Sequence, residues 1–128
     1  MELRHGFVRV LKITNSNSGI YILELYAKTK FSITSKKFIG ITFPKGYYYY
    51  IGSAQKHLQS RLSRHRQIEK KMHWHIDYLT THPSIKFCNQ YILLNFTKQY
   101  ESIIANDFER VFNCTMPALG FGNSDTKN

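Results

Sequence analysis

Five side chains have types and spacings that could serve one reaction centre: Tyr21, Tyr50, Arg61, His65 and Glu101. The two tyrosines belong to the tripeptides Gly19-Ile20-Tyr21 and Tyr50-Ile51-Gly52, each on a segment that reads as a strand. If those strands are neighbours, two phenols share one face of a sheet. The tripeptides alone specify little, because strands favour tyrosine and isoleucine and the run Tyr47-Tyr48-Tyr49-Tyr50 supplies tyrosines anyway. The segment after the second tripeptide is more specific. Gly52-Ser53-Ala54 leads into a helical stretch bearing Arg61 and, one turn on, His65; residues four apart share a helix face. The Arg61 fork suits bidentate contact with phosphate and the charge that builds on a pentacoordinate phosphorus. A solvated basic face is the alternative, and it is the simpler reading for Arg64 and Arg66.

Glu101 is the third element. On a helical wheel for Gln99–Phe112, an apolar arc of Tyr100, Ile103, Ile104, Phe108, Val111 and Phe112 contains it, whereas Glu109 lies on the solvated side. A carboxylate at the margin of a core needs a partner. A divalent cation is one candidate; a favourable place in the first helical turn is the other. Asp107 falls in the same arc and is a rival ligand.

The balance of charge points to a polyanion. Eighteen Lys and Arg oppose eight Asp and Glu, for a net charge of +10, and no acidic residue occurs from Leu25 to Ile68. Such a one-sign field draws nucleic acid and speeds encounter. On that reading Lys36, Lys37, Lys56, Arg64 and His73 are candidate backbone contacts. A membrane surface competes poorly, since no basic helix has a clean apolar face. With 42% hydrophobic and 15% aromatic residues the chain should fold. No apolar run is long enough to span a bilayer and no signal-peptide pattern opens the chain, so a cytoplasmic location is expected. Cys88 and Cys114 are in no metal or redox register and read as reduced, buried thiols.

These residues must be positioned by an α+β domain, with a small antiparallel sheet of about three central strands plus an extra hairpin, flanked by helices. Strands are expected at Phe7–Ile13, Ile20–Tyr26, Tyr47–Ile51 and Ile85–Leu94, with one short strand or a pair within Phe31–Phe43. Tyr21, Leu23 and Leu25 should share one face of the second strand, and Ile20, Ile22, Glu24 and Tyr26 the other. Helices are expected over Ala54–Lys70, near His73–Leu79, and from a cap at Thr97 to Phe112. One domain spans residues 1–128, with a loose tail from about 123.

In that order, Gly19-Ile20-Tyr21, Tyr50-Ile51-Gly52, Arg61, His65 and Glu101 resemble the GIY-YIG nuclease superfamily. The likeness is closer to a branch found stand-alone or fused to endonuclease III-like glycosylases. Its phrases stand here as Phe43-Pro44-Lys45-Gly46-Tyr47-Tyr48, Tyr50-Ile51-Gly52-Ser53-Ala54, His73-Trp74-His75-Ile76-Asp77-Tyr78-Leu79 and Gly120-Phe121-Gly122-Asn123-Ser124-Asp125. The resemblance implies a metal-dependent DNA endonuclease. Tyr21 and Tyr50 would line the site, one of them orienting or deprotonating the attacking water. Arg61 would stabilise the scissile phosphate, His65 would assist proton transfer, and Glu101 would hold one Mg²⁺ or Mn²⁺. It also implies a role in DNA repair or processing and a link to base-excision glycosylases. The long gap between the tripeptides makes Lys28–Lys45 an extra hairpin that contributes grip, and where the branch usually continues past Ser124-Asp125 with a cysteine and a histidine-bearing tail, this sequence reads Thr126-Lys127-Asn128. The other reading is a non-catalytic nucleic-acid-binding module of the same fold. His73 and His75 could form a zinc pair, but no third ligand is evident; His73 reads better as a phosphate contact, Trp74 as core, and Asp77 as the partner of a basic side chain.

Overall fold

A computed structural model describes residues 17–117. The expected strand Phe7–Ile13, the phrase Gly120–Asp125 and the tail from about 123 lie outside the described residues. Within them, β1 (Gly19–Ala27), β2 (Gly46–Ala54) and β3 (Ile85–Leu94) form an antiparallel sheet in the order β2-β1-β3. With its helices this is an α+β domain. The apolar alternation of β1 explains why it takes the centre: Tyr21, Leu23, Leu25 and Ala27 are all buried on one face, here called inner.

Three segments cover that face. Helix α1 (Leu58–Arg66) contributes Leu58 and Leu62 against Tyr21, Leu23 and Ala54. Ile76 and Leu79, around the single turn α2 (Asp77–Thr80), pack on Leu25 and Ala27. The β1–β2 connection adds Phe31, Ile33, Phe38 and Phe43 to the same cluster. Fully burying a side chain of this size is worth about 1.5–3 kcal/mol, so the connection is bound to the core by its apolar residues. It is not a hairpin of regular strands: one bridge pairs Phe31 with Phe43, and Lys36–Phe38 forms a 3-10 turn. The outer face carries Ile20, Ile22, Glu24 and Tyr26. Helix α3 (Glu101–Phe112) lies over its β2 side, with Phe108 against Tyr49 at 4.9 Å between ring centroids.

Several boundaries differ from expectation for local reasons. Helix α1 starts at Leu58 because β2 continues through Ala54 and His57 is left-handed (φ 56°); Asn17 then supplies both its carbonyl and its side-chain oxygen to the N–H groups of Leu58 and Gln59. It stops at Arg66 because Gln67 is extended, and Lys70 folds back to donate to the carbonyls of Arg64 and His65. The helix expected near His73–Leu79 shrinks to Asp77–Thr80, since Asp77 accepts the N–H groups of His73 and Trp74 and folds that segment back ahead of the helix. Thr97 makes no side-chain cap; a 3-10 turn, Lys98–Tyr100, precedes α3. Both cysteines are free and half-buried, not fully buried.

Candidate functional site

The register of β1 and β2 sets Tyr21 opposite Gly52 and Leu23 opposite Tyr50. Tyr21 and Tyr50 are therefore diagonal neighbours on the inner face, their ring centroids 6.3 Å apart. Gly52 is required by this arrangement, because the Tyr21 ring lies across it. A Cβ at position 52 would come within 2.5 Å of the phenol carbon and oxygen of Tyr21. The two tripeptides thus make one structural unit, with the glycine of the second accommodating the tyrosine of the first.

Helix α1 brings His65 down onto this pair. Its imidazole is fully buried, with Nε2 2.8 Å from the Tyr21 hydroxyl, and its ring also packs on Tyr50 and Trp74. Nδ1 is buried and has no hydrogen-bond partner among the described residues. Burial pushes the His65 pKa down to about 4; Lys70, Arg61 and Arg64 add to the effect and Asp77 opposes it. The imidazole is therefore neutral at ordinary pH, which makes stability sensitive to acid. The unfolded chain binds a proton on His65 below about 6.5 and the folded chain does so only near 4, so the contribution is complete above the higher value and is lost as pH falls between them. The loss is of order 3 kcal/mol. Urea titrations at pH 7 and pH 4.5 should show it, and His65→Gln should be less stable at pH 7 but flatter over this interval. An undiminished acid loss in that variant would place the sensitivity in other groups.

Arg61 projects from the same helix face and is half-buried. Its Nη1 donates to the Ser53 carbonyl at 2.8 Å, and its guanidinium stacks on Trp74 at 4.7 Å from the ring centroid. Trp74 is half-buried and serves as a platform, with Arg64 on the same ring system at 4.9 Å and the His73 ring at 4.8 Å. Asp77 holds this platform. It is buried, accepts the N–H of Trp74, and forms a bidentate pair with Arg64 (3.0 and 2.9 Å), with Lys70 at 3.8 Å. Burial would raise its pKa, but the hydrogen bonds from Arg64 and from the N–H groups of Trp74 and His73 outweigh that and hold it below the usual carboxylate range.

Asp77 is thus the partner of basic side chains, as its sequence context suggests. Arg64 does not lie on a freely solvated face: Asp77 and the Lys71 carbonyl occupy its fork, and the side chain is 28% exposed. The sequence reading missed the Trp74 platform and the buried amine of Lys70. The one available signal was a lone tryptophan flanked by histidines and followed by an aspartate. His73 and His75 diverge and form no pair: His73 is exposed beside Trp74, whereas His75 meets the Phe38 ring edge-on. Lys56 is exposed in the β2–α1 loop, while Lys36 and Lys37 are exposed on the 3-10 turn over the Leu25–Ala27 end of the core.

Glu101 opens α3 and is half-buried. The chain reaches it from the end of β3 through Asn95–Tyr100, where the Phe96 carbonyl accepts from Gln55, which also donates to the Ser53 hydroxyl. Ser53 is the residue whose carbonyl holds Arg61, so Glu101 begins its helix at the same end of the sheet as Arg61. The buried arc expected for this helix does not form among the described residues. Ile103, Val111 and Phe112 are each more than half exposed, and only the Ile104–Phe108 side leans on the sheet. Asp107 is 61% exposed and pairs with Arg110, which removes it from the margin of any core.

Fold and site together define a small α+β domain with a buried phenol–imidazole pair beside a stacked arginine. The chain belongs to the family described as "Domain of unknown function DUF123", which it matches over residues 20–128. No curated protein matches it, and no solved structure does.

Proposed function

We propose that this domain is a divalent-metal-dependent endonuclease that hydrolyses phosphodiester bonds in DNA, of the GIY-YIG kind its motifs resemble. The observation that carries the reading is the convergence of Tyr21, Tyr50, His65 and Arg61 at one end of the inner sheet face. Arg61, held over the Trp74 ring, offers its remaining donors to a phosphate. Tyr50 keeps part of its surface open and orients the attacking water. Tyr21 and His65 share a hydrogen bond along which a proton can move, from the phenol to the neutral Nε2. A phosphate on Arg61 offsets one of the cations that keep His65 neutral, which favours that transfer.

Glu101 would serve a resident metal as a single hard oxygen donor; its helix lies over the outer face and starts at the sheet end where Arg61 is tied on the inner face. Among the described residues no group of three or more His, Cys, Asp or Glu could form a closed cage. Waters and the substrate phosphate would complete the shell, as is usual for Mg²⁺. When bound, such an ion supplies charge to the phosphoryl oxygens and lowers the pKa of a bound water. The DNA repair setting and the link to a glycosylase belong to the same proposal.

A second reading has its own support. Tyr21 and His65 are at most 1% exposed, as a binding module that keeps its aromatic core would require. A panel of branched, duplex and single-stranded DNA, with Mg²⁺, Mn²⁺ and chelator, separates the two. Cleavage should depend on the ion, and Glu101→Gln should slow it by a hundredfold or more with melting unchanged. Affinity should fall steeply from about 50 to 200 mM salt. Binding with that salt dependence but no cleavage of any substrate would select the module.

A further inference from the structure

The outer face of the sheet carries a feature that the proposed site does not use. Across its end farthest from Arg61, the register aligns Tyr47, Tyr26 and Lys86 in one row over the three strands. The Tyr26 and Tyr47 rings are 4.8 Å apart, and Tyr47 is 63% exposed. Exposed Lys45 immediately precedes β2, two residues before Tyr47, and exposed Lys28 immediately follows β1, two residues after Tyr26. None of the three lysines joins an ion pair among the described residues. The nearest acid in the register, Glu24, is in the next row but one, where Tyr49 and Asn89 both donate to it.

We propose that this row is a stacking platform for unpaired nucleotides. A cross-strand tyrosine pair can be simple sheet stabilisation, but that role calls for neither an open outer ring nor flanking ammonium groups. Open aromatic rings between unpaired cations match a ligand whose flat apolar faces are joined by anionic links, which describes single-stranded nucleic acid. A duplex hides those faces inside its stack. A lipid surface would call for a broad continuous apolar face, whereas this row presents one strongly exposed ring. The platform lies on the opposite face from Tyr21 and His65, so it binds strand without touching the reacting group, whether or not the domain cuts.

The test is fluorescence anisotropy with a labelled oligothymidylate of about a dozen nucleotides and with a duplex of equal length, in chelator. Tyr26→Leu and Tyr47→Leu keep apolar bulk on the strands. Each should weaken oligothymidylate binding roughly tenfold and leave duplex binding unchanged. Tyr26→Phe and Tyr47→Phe keep the ring and should bind like the parent. Replacing Lys45 and Lys86 together by Ser should reduce the logarithmic salt slope on the single strand by about 1.4. The proposal is overturned if the leucine variants, with parental melting, bind oligothymidylate as the parent does. Equal losses on strand and duplex overturn it too, as does a phenylalanine variant as weak as its leucine counterpart. Because no metal or cleavage enters the assay, failure here is distinct from failure of the nuclease reading.

Discussion

Arg61→Lys is expected to slow single-turnover cleavage by about a hundredfold while leaving melting and DNA affinity close to parental values. The lysine keeps the positive charge and can still reach the Ser53 carbonyl that Arg61 holds at 2.8 Å. It cannot keep the guanidinium contact with the Trp74 ring or present parallel donors to two phosphate oxygens. Those donors matter most when charge accumulates on the phosphoryl oxygens, so the loss should fall on the saturated rate and not on binding. A loss of this kind corresponds to about 3 kcal/mol of transition-state stabilisation. Single-turnover rates at saturating protein, measured beside anisotropy titrations, provide the split. If Arg61→Lys cuts at the parental rate, the guanidinium is a structural tie to Ser53 and the phosphate role is lost.

The second large effect concerns stability. Asp77→Asn keeps the size of a fully buried carboxylate and removes its charge, leaving Arg64 and the nearly buried Lys70 amine without a counter-ion. Breaking one side of such a group costs about 3–5 kcal/mol. For a domain of this size that lowers Tm by more than about 10 °C. The exposed pair Asp107–Arg110 has a similar 2.9 Å separation and serves as the control. Asp107→Asn should change stability by no more than about 0.5 kcal/mol, because solvent screens it. The contribution of Asp77 also has a direction in pH. Its folded pKa is held below the ordinary value of 3.8, so its stabilisation is complete above that value and is lost as pH falls through the folded one. Melting curves of both variants at pH 7 decide the matter: if Asp77→Asn melts like Asp107→Asn, the buried network does not hold α1 in place.

Much of the site was legible because its rules are local. A period of two predicts that Tyr21, Leu23 and Leu25 share a face, and a period of 3.6 that Arg61 and His65 do; both hold in the structure. What local rules cannot supply is the identity of the far partner. Arg64 looked like a surface cation because it falls within a stretch with no acid from Leu25 to Ile68, yet Asp77, thirteen residues away, occupies its fork. Trp74 was expected to be core, and it does pack against the cluster that contains Leu25 and Ile76, but it is only half-buried and two arginines also lie on its ring. The wheel for α3 failed differently. It recorded which side chains are apolar but not whether a second element meets each of them, and only the side facing Tyr49 is met among the described residues. The fold class needed no such knowledge, since strand alternation and helical spacing are enough for an α+β sheet with helices. The basic composition remains compatible with more than one face: Lys56, Lys36 and Lys37 are spread along the inner side, and Lys45 and Lys86 belong to the outer platform.

Trp74 is the one tryptophan in the chain. Its indole lies against the guanidinium groups of Arg61 and Arg64 and near the neutral imidazole of His65. The ultraviolet emission of this protein that belongs to tryptophan therefore originates from a single ring inside the candidate site. Whatever shifts Arg61 or protonates His65 alters the electric field at that ring, so the domain carries a built-in optical gauge of its own site, with no label attached.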